Sequence, residues 1–382
     1  MLHRRVFLQM AAAASAALAD KERKIPKYKV VSPYQPAAQP GMPGPYPGRV
    51  ASIHAEKSID EATQKPDPGV VREMMTRGMR ELTGDADVRD AWARFITPSD
   101  VVGIKVNCSG APDIFSSPVV VAEIVRNLMV IGVKPDAIWL YERFSQQLQS
   151  AHYERYLPEG VHYWTAETAW DGATKRGSAK AYDPATYVEV KLYDEDDARS
   201  NISRPVSGTF TKIINVPNVK DHGAAGVTGC LKNIAFGSFA NVSRAHDGTD
   251  THTYSFVGTL AAVEPLRSRT VLHVMDGLRG VWHNGPFSDV PRYWFYPKRM
   301  LFGTDPVAID RLLIEIIEDK RKAEHALSIW DRSPKYLGTK EDHQNNPNIN
   351  DFVREPGHVE YAAQLGLGVY ELDKIKVGHS EV

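Results

Sequence analysis

The sequence contains little cysteine, and this excludes one class of redox protein. Only Cys108 and Cys230 occur among the 382 residues, and neither belongs to a Cys-x-x-Cys pair. An iron–sulfur cluster held by four cysteines of this chain alone is therefore excluded. The two thiols leave three interpretations open: inert buried thiols, a disulfide formed in an oxidising compartment, or soft metal ligands.

An excess of charge of one sign is also missing. Lysine and arginine together number 46, aspartate and glutamate 47, and the formal net charge is −1. A chain without a strong basic field is not expected to bind nucleic acid or anionic membranes through its overall charge. We therefore expect its partners to be recognised at local sites.

Long hydrophobic runs are lacking as well, and the best candidate lies at the N-terminus. Residues 1–19 combine Arg4-Arg5 with an alanine-rich apolar run that ends at Ala19. A membrane helix needs about 20 apolar residues, and this run is shorter. The pattern predicts a twin-arginine signal peptide cut before Asp20, so we expect a periplasmic or otherwise exported protein with no stable membrane span after cleavage. This export route carries folded proteins, which favours a cofactor or a metal.

The remaining chain divides into two parts by composition. Residues 20–66 are rich in proline and glycine, which predicts an extended surface arm. Residues 67–382 alternate between strand-like and helix-like patterns, and the strand–helix–strand pattern from Val101 to Tyr141 predicts a parallel βαβ unit. We therefore predict an α/β fold, with a mostly parallel central sheet flanked by helices in a single large domain with peripheral insertions.

Polar side chains stand at the ends of three predicted strands. Lys105 and Asn107 end the first, Asn215 and Asn218 follow the second, and Asp276 ends the third. Ligands of open parallel sheets bind at the carboxyl ends of the strands, so we expect these residues to converge on one crevice. The alternative is that they simply begin solvent-exposed loops.

The segment from Lys212 to Gly237 holds the densest group of reactive side chains. Lys220 and His222 begin a glycine-rich loop that leads into a helix carrying Lys232 and Asn233. Glycines let backbone N–H groups approach a ligand, and a helix N-terminus attracts an anion, so this loop is predicted to bind a carboxylate or phosphate. The spacing is not that of a Walker A loop, and ordinary turn chemistry explains the glycines equally well.

A second polar cluster has the chemistry of a divalent-metal site. It contains His246, Asp250 and His252. Imidazole and carboxylate are common metal ligands, but this spacing matches no strong metal signature, and a solvated loop is the competing interpretation.

The combined pattern resembles the domain of unknown function 362 family over about residues 101–317. The resemblance rests on four ordered motifs: Gly103-Ile-Lys105-Val-Asn107; Asn215-Val-Pro-Asn-Val-Lys220-Asp-His222 with Thr228-Gly-Cys-Leu-Lys232-Asn233; Asp276-Gly277 with Gly285-Pro286; and Gly303-Thr-Asp305-Pro-Val-Ala-Ile-Asp310. It implies an α/β domain that gathers these motifs at one site, in a family whose reaction is not settled. Some relatives carry ferredoxin-type cysteine clusters, from which this chain departs.

The core is also distantly similar to the N-terminal domain of nickel-dependent lactate racemases. That similarity implies Lys, His and Asp residues around a cofactor or a small hydroxy acid. Residues 318–382 lie beyond the resemblance, and we expect them to form a C-terminal extension that packs back on the domain.

These observations favour an enzyme that acts on a small anionic substrate, with a metal or organic cofactor left open. We expect His222 and Asp276 to act as acid and base, and we count Lys232 with them as catalytic. The expected substrate-binding residues are Lys105, Asn107, Asn218, Lys220 and Asn233, and the expected metal ligands are His246, Asp250 and His252. The alternatives are a non-catalytic anion- or metal-binding protein and an assembly factor for a co-exported redox partner.

Overall fold

The computed structural model describes Arg23 and residues 25–168, 180–193 and 195–382. The predicted signal peptide, residues 1–19, lies outside the described residues. Within the described part of the chain, no helix is long and apolar enough to cross a membrane.

Several α-helices of the described residues begin at a side-chain cap. The α-helices of this part of the chain are α1 Pro68–Thr83, α2 Val88–Ala93, α3 Pro118–Val130, α4 Ser145–Ser150, α5 Gly229–Ser238, α6 Thr253–Ala261, α7 Leu266–Arg269, α8 Pro306–Ala323, α9 Lys340–Asn345 and α10 His358–Gln364. The side chain of Asp67 accepts the first free N–H groups of α1, and Gly84 ends that helix with a left-handed φ of 82°. Asp305 caps α8 in the same way, as the sequence predicts.

The strands form one large sheet and two small ones. They are β1 Lys29–Val31, β2 Arg49–His54, β3 Ile59–Asp60, β4 Lys65–Pro66, β5 Val102–Val106, β6 Ile138–Phe144, β7 His162–Glu167, β8 Tyr182–Glu189, β9 Arg199–Ser203, β10 Lys212–Val216, β11 Asn218–His222, β12 Gly226–Val227, β13 Thr270–Val281, β14 Trp294–Phe295, β15 Arg299–Gly303 and β16 Lys376–Glu381. The main path of the large sheet runs β16-β2-β15-β13-β10-β5-β6-β7.

Most neighbours in the large sheet are parallel. The pairs β7–β6, β6–β5, β5–β10, β10–β13 and β2–β16 are parallel, and only β15 runs antiparallel to its neighbours on this path. The predicted α/β fold is confirmed, and β5, α3 and β6 form the predicted parallel βαβ unit.

The strand order reverses between β5 and β10. From β5 the chain adds β6 and β7 on one side of the sheet, and it later adds β10 and β13 on the other. Connections that leave two adjacent parallel strands in opposite directions open a crevice at the carboxyl ends of those strands. The topology therefore places a ligand-binding crevice where β5 and β10 end.

Helices cover both faces of this sheet. Alternate residues of a strand point to opposite faces, so Ile213 belongs to one large apolar cluster and Ile214 to the other. Apolar residues of α1, α2 and α3 complete one cluster, and those of α5, α6 and α8 complete the other. The result is a three-layer arrangement in which α5 lies over the face that carries the candidate site.

Three segments differ from the sequence-based expectations. Residues 49–54, expected in an extended surface arm, form β2 between β15 and β16, because their alternate apolar side chains can fill both faces of the sheet. Residues 218–222, expected as a loop, form β11, which pairs with β13. The strand expected to end at Asp276 continues to Val281, so Asp276 lies inside β13.

The C-terminal residues return to the sheet and to the centre of the molecule. Strand β16 pairs in parallel with β2, and α10 packs on α6. Between them and α8, Arg354 reaches into the interior, where its Nη1 lies 2.9 Å from Oδ1 of Asp221 on β11. Both side chains are fully buried.

Candidate functional site

A cavity of about 820 Å³ opens at the carboxyl ends of β5 and β6, beside the reversal of strand order. The cavity brings together five of the residues singled out in the sequence as substrate-binding or catalytic. They are Lys105, Asn107, His222, Lys232 and Asn233.

A buried network of amides connects the motifs beneath this cavity. Asn107 Nδ2 donates to Asn233 Oδ1 over 3.2 Å, and Asn233 Nδ2 donates to Asn215 Oδ1 over 2.8 Å. Asn107 Oδ1 in turn accepts from Lys220 Nζ at 3.0 Å. Each amide uses its carbonyl and its NH₂ group, so the network fixes the floor of the cavity in one arrangement.

The Lys105 ammonium is neutralised inside the protein. Its Nζ lies 3.0 Å from Glu142 Oε2 and also donates to the carbonyl of Val106. The side chain passes so close to α5 that a Cβ added to Gly237 would lie 1.8 Å from the Lys105 Cε. Lys105 therefore fixes the position of the residues at the floor of the cavity. Glu142 already compensates its positive charge.

Lys220 lies behind the cavity floor, and it is not among the lining residues. Its Nζ donates to Asn107 Oδ1 at 3.0 Å and to Ser109 Oγ at 3.4 Å. Burial lowers the pKa of the Lys220 amine to about 7. Its contacts are those of a residue that positions Asn107.

Lys232 differs from both other lysines. Its side chain is 7 % exposed and lines the cavity, and within the described residues its amine has no carboxylate or hydrogen-bond partner. The Nζ lies 4.5 Å from the centroid of the Phe236 ring, one helical turn further along α5. Burial, followed by the positive charge of Arg143, lowers the pKa of the Lys232 amine to about 7.

Two neutral histidines stand next to Lys232. The rings of His222 and His246 stack with centroids 5.1 Å apart, and His246 also meets the edge of Phe236 at 5.4 Å. Burial, with a further contribution from the charge of Lys232, lowers the pKa of His246 to about 3 and that of His222 well below its usual value. Both imidazoles are therefore uncharged at neutral pH.

The hydrogen bonds of His222 settle which of its nitrogens carries the proton. Its Nδ1 accepts from the N–H groups of Ala224 at 3.1 Å and Ala225 at 3.2 Å. A neutral imidazole whose Nδ1 accepts must carry its proton on Nε2. His246 has a buried Nε2 without a hydrogen-bond partner among the described residues. The site thus offers a free N–H group on one ring and an unpaired nitrogen on the other.

Side chains of the protein accept four N–H groups of the glycine-rich loop and of the start of α5. His222 takes those of Ala224 and Ala225, and the carboxylate of Asp310 accepts those of Cys230 at 2.5 Å and Leu231 at 2.9 Å. The predicted anion site at the N-terminus of α5 is therefore wrong, because a carboxylate of the protein itself occupies that position.

Asn218 and Asp276 lie outside the cavity lining. Asn218 Nδ2 donates to the carbonyls of Asp276 at 2.9 Å and Arg279 at 3.2 Å, where β13 is irregular. Asp276 accepts the N–H groups of Ser117 at 2.6 Å and Leu278 at 3.1 Å, and burial raises its pKa to about 6. Their contacts fix the backbone around β13.

The expected metal ligands are not gathered. His246 packs against His222, whereas His252 packs edge-on against Tyr193 with ring centroids 4.7 Å apart. Asp250 is exposed, and its carbonyl accepts from the Tyr193 hydroxyl. Among all described residues, no group of three or more His, Cys, Asp or Glu side chains is placed to hold a metal ion. The sequence spacing put these residues in one loop, but the loop spreads them over different neighbours.

The two cysteines are free and buried. Cys108 belongs to the apolar cluster on one face of the sheet and Cys230 to the cluster on the other. Burial raises the pKa of both thiols. Of the three interpretations of the cysteines, the inert buried thiols fit these surroundings.

Sequence reasoning missed Glu142 and Arg143, which lie at the carboxyl end of β6 and line the cavity. Glu142 pairs with Lys105, and Arg143 Nε lies 2.9 Å from Glu167 Oε1. The signal was present, because a polar pair near the end of a predicted strand is the feature that identified Lys105 and Asn107. It also missed the part of the extension, including His343 and Phe352, that lines the same cavity.

One comparison with known proteins gave a match. A model of the family described as Domain of unknown function (DUF362) matches residues 102–315, which is more than half of the chain. No curated protein and no solved structure matched the chain significantly.

Proposed function

The chain belongs to the family described as Domain of unknown function (DUF362), and we propose that it is an enzyme that binds a small anionic molecule beside Lys232. The observation that carries this proposal is a lysine that is 7 % exposed, lines a cavity of about 820 Å³ and has no acceptor for its amine among the described residues.

The electrostatics of Lys232 favour an anion. The charge that acts most strongly on its amine is the guanidinium of Arg143, which is itself a cation and lines the same cavity. Burying a charged group without a partner is costly, and a nearby like charge adds to that cost. Arg143 is already paired with Glu167, so an anion bound beside Lys232 would relieve both effects at the lysine.

The two histidines give the same place a capacity for proton transfer. The Nε2–H of His222 is a donor, and the buried Nε2 of His246 has no partner among the described residues. Proton donors and acceptors that are held next to a bound ligand are what general acid–base catalysis requires. These neighbours favour an enzyme over a protein that only binds the anion.

Ligand-dependent thermal unfolding tests the binding part. Propanoate, lactate and inorganic phosphate are each titrated into the wild-type protein, into Lys232→Met and into Lys340→Met, since a ligand of the folded state raises its apparent stability. Lys340 lies at the exposed side of the same cavity, so its substitution removes an equal charge without touching the buried amine. We expect the stabilisation to disappear in Lys232→Met and to persist in Lys340→Met.

Equal stabilisation of all three proteins would contradict the role of Lys232. A ligand that binds through Lys232 but is recovered unchanged after long incubation with excess enzyme, as followed by NMR, would favour the non-catalytic binding protein instead.

We propose in addition that the protein is exported by the twin-arginine route. Arg4-Arg5 and the alanine-rich run that ends at Ala19 support this. Fusing residues 1–19 to a reporter that is active only after export, with a variant in which both arginines are lysines as the control, tests it. Export of both fusions, or of neither, would contradict the proposal.

A further inference from the structure

We infer that Lys232 acts as a nucleophile, and that its Nζ forms an imine with the carbonyl carbon of an oxo acid bound in the cavity. The inference rests on the proposed function, because it uses the same cavity and the same anionic ligand. It adds the substrate class and a covalent intermediate.

The comparison of three buried lysines carries this inference. The amine of Lys105 is held by Glu142 and the Val106 carbonyl, and that of Lys220 is held by Asn107 and Ser109. Lys105 and Lys232 both line the cavity, but of these three lysines only Lys232 has an amine without an oxygen partner among the described residues. Nucleophilic attack requires an accessible nitrogen lone pair. Among these three lysines, only Lys232 has a nitrogen that a ligand in the cavity can reach and that no oxygen of the described residues holds.

The surroundings of Lys232 keep a large share of the amine neutral. Its pKa is lowered to about 7 by burial and by Arg143. Desolvation and a neighbouring cation are the two means by which proteins activate lysines for attack on carbonyl groups. Lys220 has a similarly lowered pKa. If the pKa alone decided reactivity, a carbonyl compound would modify both lysines. If access from the cavity decides it, only Lys232 is modified.

The protons of this step can be placed on named atoms. The Lys232 nitrogen attacks the carbonyl carbon, a C–N bond forms, and the Nε2–H of His222 donates to the carbonyl oxygen. The C=O π bond opens as the C–N bond forms, and the Nε2 of His246 carries one proton from the nitrogen to that oxygen, which gives a neutral carbinolamine. A further proton, taken up from solvent, lets the hydroxyl leave as water and gives a protonated C=N bond. His246 and Lys232 both contact the ring of Phe236, and His222 stacks on His246, so the three groups form one cluster.

The anionic group of the substrate keeps its partners throughout. Arg143 lines the same cavity, and a protonated imine carries the positive charge that the ammonium carried before. A carboxylate on the carbon next to the carbonyl therefore lies beside the positive charge of the protonated imine once the bond has formed. This is why we assign an oxo acid instead of a simple aldehyde.

The rest of the cavity is large and partly aromatic. Besides Phe236, its lining includes Phe144, Phe287 and Phe352, and Phe287 is 52 % exposed. A cavity of about 820 Å³ falls within the usual size of sites for drug-sized ligands. We therefore expect an oxo acid with an apolar substituent to be accepted better than a minimal one.

Reductive trapping tests the covalent step. The full-length protein is incubated with pyruvate or phenylpyruvate and sodium cyanoborohydride, digested, and mapped by mass spectrometry. We expect Lys232 to gain the mass of the oxo acid minus one oxygen atom, which is the mass of a reduced imine. Phenylpyruvate should label it faster than pyruvate, and lactate, which lacks the carbonyl, should give no adduct.

Lys220 serves as an internal control, and Lys232→Arg as the external one. The Lys220 peptide should stay unmodified, although its amine has a similar pKa. The arginine variant keeps the positive charge and loses the nucleophile, so it should bind propanoate and give no adduct at this position. The mapping of the wild-type protein requires no variant, so it decides the matter even if Lys232→Arg does not fold.

Labelling of Lys232 no faster than that of exposed lysines would overturn the inference, and so would preferential labelling of Lys220. If propanoate still stabilises the wild-type protein in that case, only the covalent step fails and the proposed anion site stands. If no anion binds and no adduct forms, both fail together. Equal labelling by the two oxo acids would overturn the preference for an apolar substituent.

Discussion

At the scale of single residues, the informative contrast lies between buried lysines that are paired and one that is not. Lys105 sits 3.0 Å from Glu142, whereas the amine of Lys232 has a phenylalanine ring, two neutral histidines and a nearby arginine around it, and no carboxylate among the described residues. A pair such as Lys105–Glu142 is explained by folding alone. An amine that faces a cavity with no acceptor among the described residues is not explained in that way, so a ligand is the better explanation of its position.

The pKa of Lys232 predicts how anion binding depends on pH. With a pKa of about 7, most Lys232 amines are protonated near pH 6 and most are neutral near pH 8. The charged form attracts the anion, so propanoate should bind up to about tenfold more weakly at the higher pH. Isothermal titration calorimetry at both values measures this.

The variant Lys232→Arg provides the control for that pH dependence, because arginine stays protonated throughout. Its affinity should be the same at both pH values. A wild-type affinity that is independent of pH, or one that rises with pH, would show that the charge of Lys232 is not what binds the anion.

At the scale of elements, helix α5 is placed by contacts that come from distant parts of the chain. Asp310 of α8 caps its first N–H groups, and Lys105 of β5 passes against Gly237 near its end. These contacts set the helix so that Lys232 and Phe236, which are four residues apart, face the cavity together. The position of the reactive amine is therefore a property of α5 and its two anchors.

Gly237 provides a test of that placement. In Gly237→Ala the new methyl group would lie 1.8 Å from the Lys105 Cε, so the lysine must leave its position beside Glu142. Breaking a buried ion pair costs roughly 3–5 kcal/mol, and we expect the free energy of unfolding to fall by that order. Urea unfolding measures the change.

The matched control is Gly208→Ala, since a Cβ at that position meets no atom within 4 Å. Its free energy of unfolding should change by no more than about 1 kcal/mol. A similar small effect for Gly237→Ala would mean that Lys105 can move without loss, and that it is not an anchor of α5.

At the scale of the whole molecule, the C-terminal extension completes a site whose other residues lie within the family match. Residues 102–315 supply β5, β6 and α5, while His343 and Phe352 of the extension also line the cavity. Arg354 fixes this extension to β11 through its contact with Asp221, and Arg321 of α8 lies 3.8 Å from the same carboxylate. The extension is thus tied to the cavity through a buried charge.

A double-mutant cycle on Arg354 and Asp221 tests this connection. Asp221→Asn leaves the buried Arg354 without its carboxylate, and Arg354→Met leaves Asp221 with only the more distant Arg321 at 3.8 Å, so each should lower the free energy of unfolding, by up to roughly 3–5 kcal/mol. The double variant should lose clearly less than the sum of the two, because it leaves fewer uncompensated charges. Additive losses would show that the two residues act independently.

Lys320→Met serves as the reference for an exposed pair. Lys320 contacts Glu324 one turn further along the chain, at the solvent-exposed end of α8. Its loss should change the free energy of unfolding by no more than about 0.5 kcal/mol.

Part of this structure follows from local sequence alone. Asp67 and Gly84 set the ends of α1, and Asp305-Pro306 starts α8, because capping depends on residues within a few positions of the helix end. The spacing of apolar residues is also a local property of the sequence, so it predicts which segments form strands and which form helices. The presence of polar residues at the ends of β5 and β10 could be read in the same way, since strand ends are local features.

The sequence by itself determined that lysines, asparagines and a histidine stand in or just after predicted strands. Only the tertiary structure decided which of those side chains stay free. Glu142 lies 37 positions from Lys105 in the chain. Asp310 lies 80 positions from Cys230, whose N–H group donates a hydrogen bond to the Asp310 carboxylate. Partners so distant in the chain are brought together only by the packing of the whole sheet and its helices. This packing pairs Lys105 with Glu142, places the Asp310 carboxylate at the start of α5 and leaves the Lys232 amine open to the cavity.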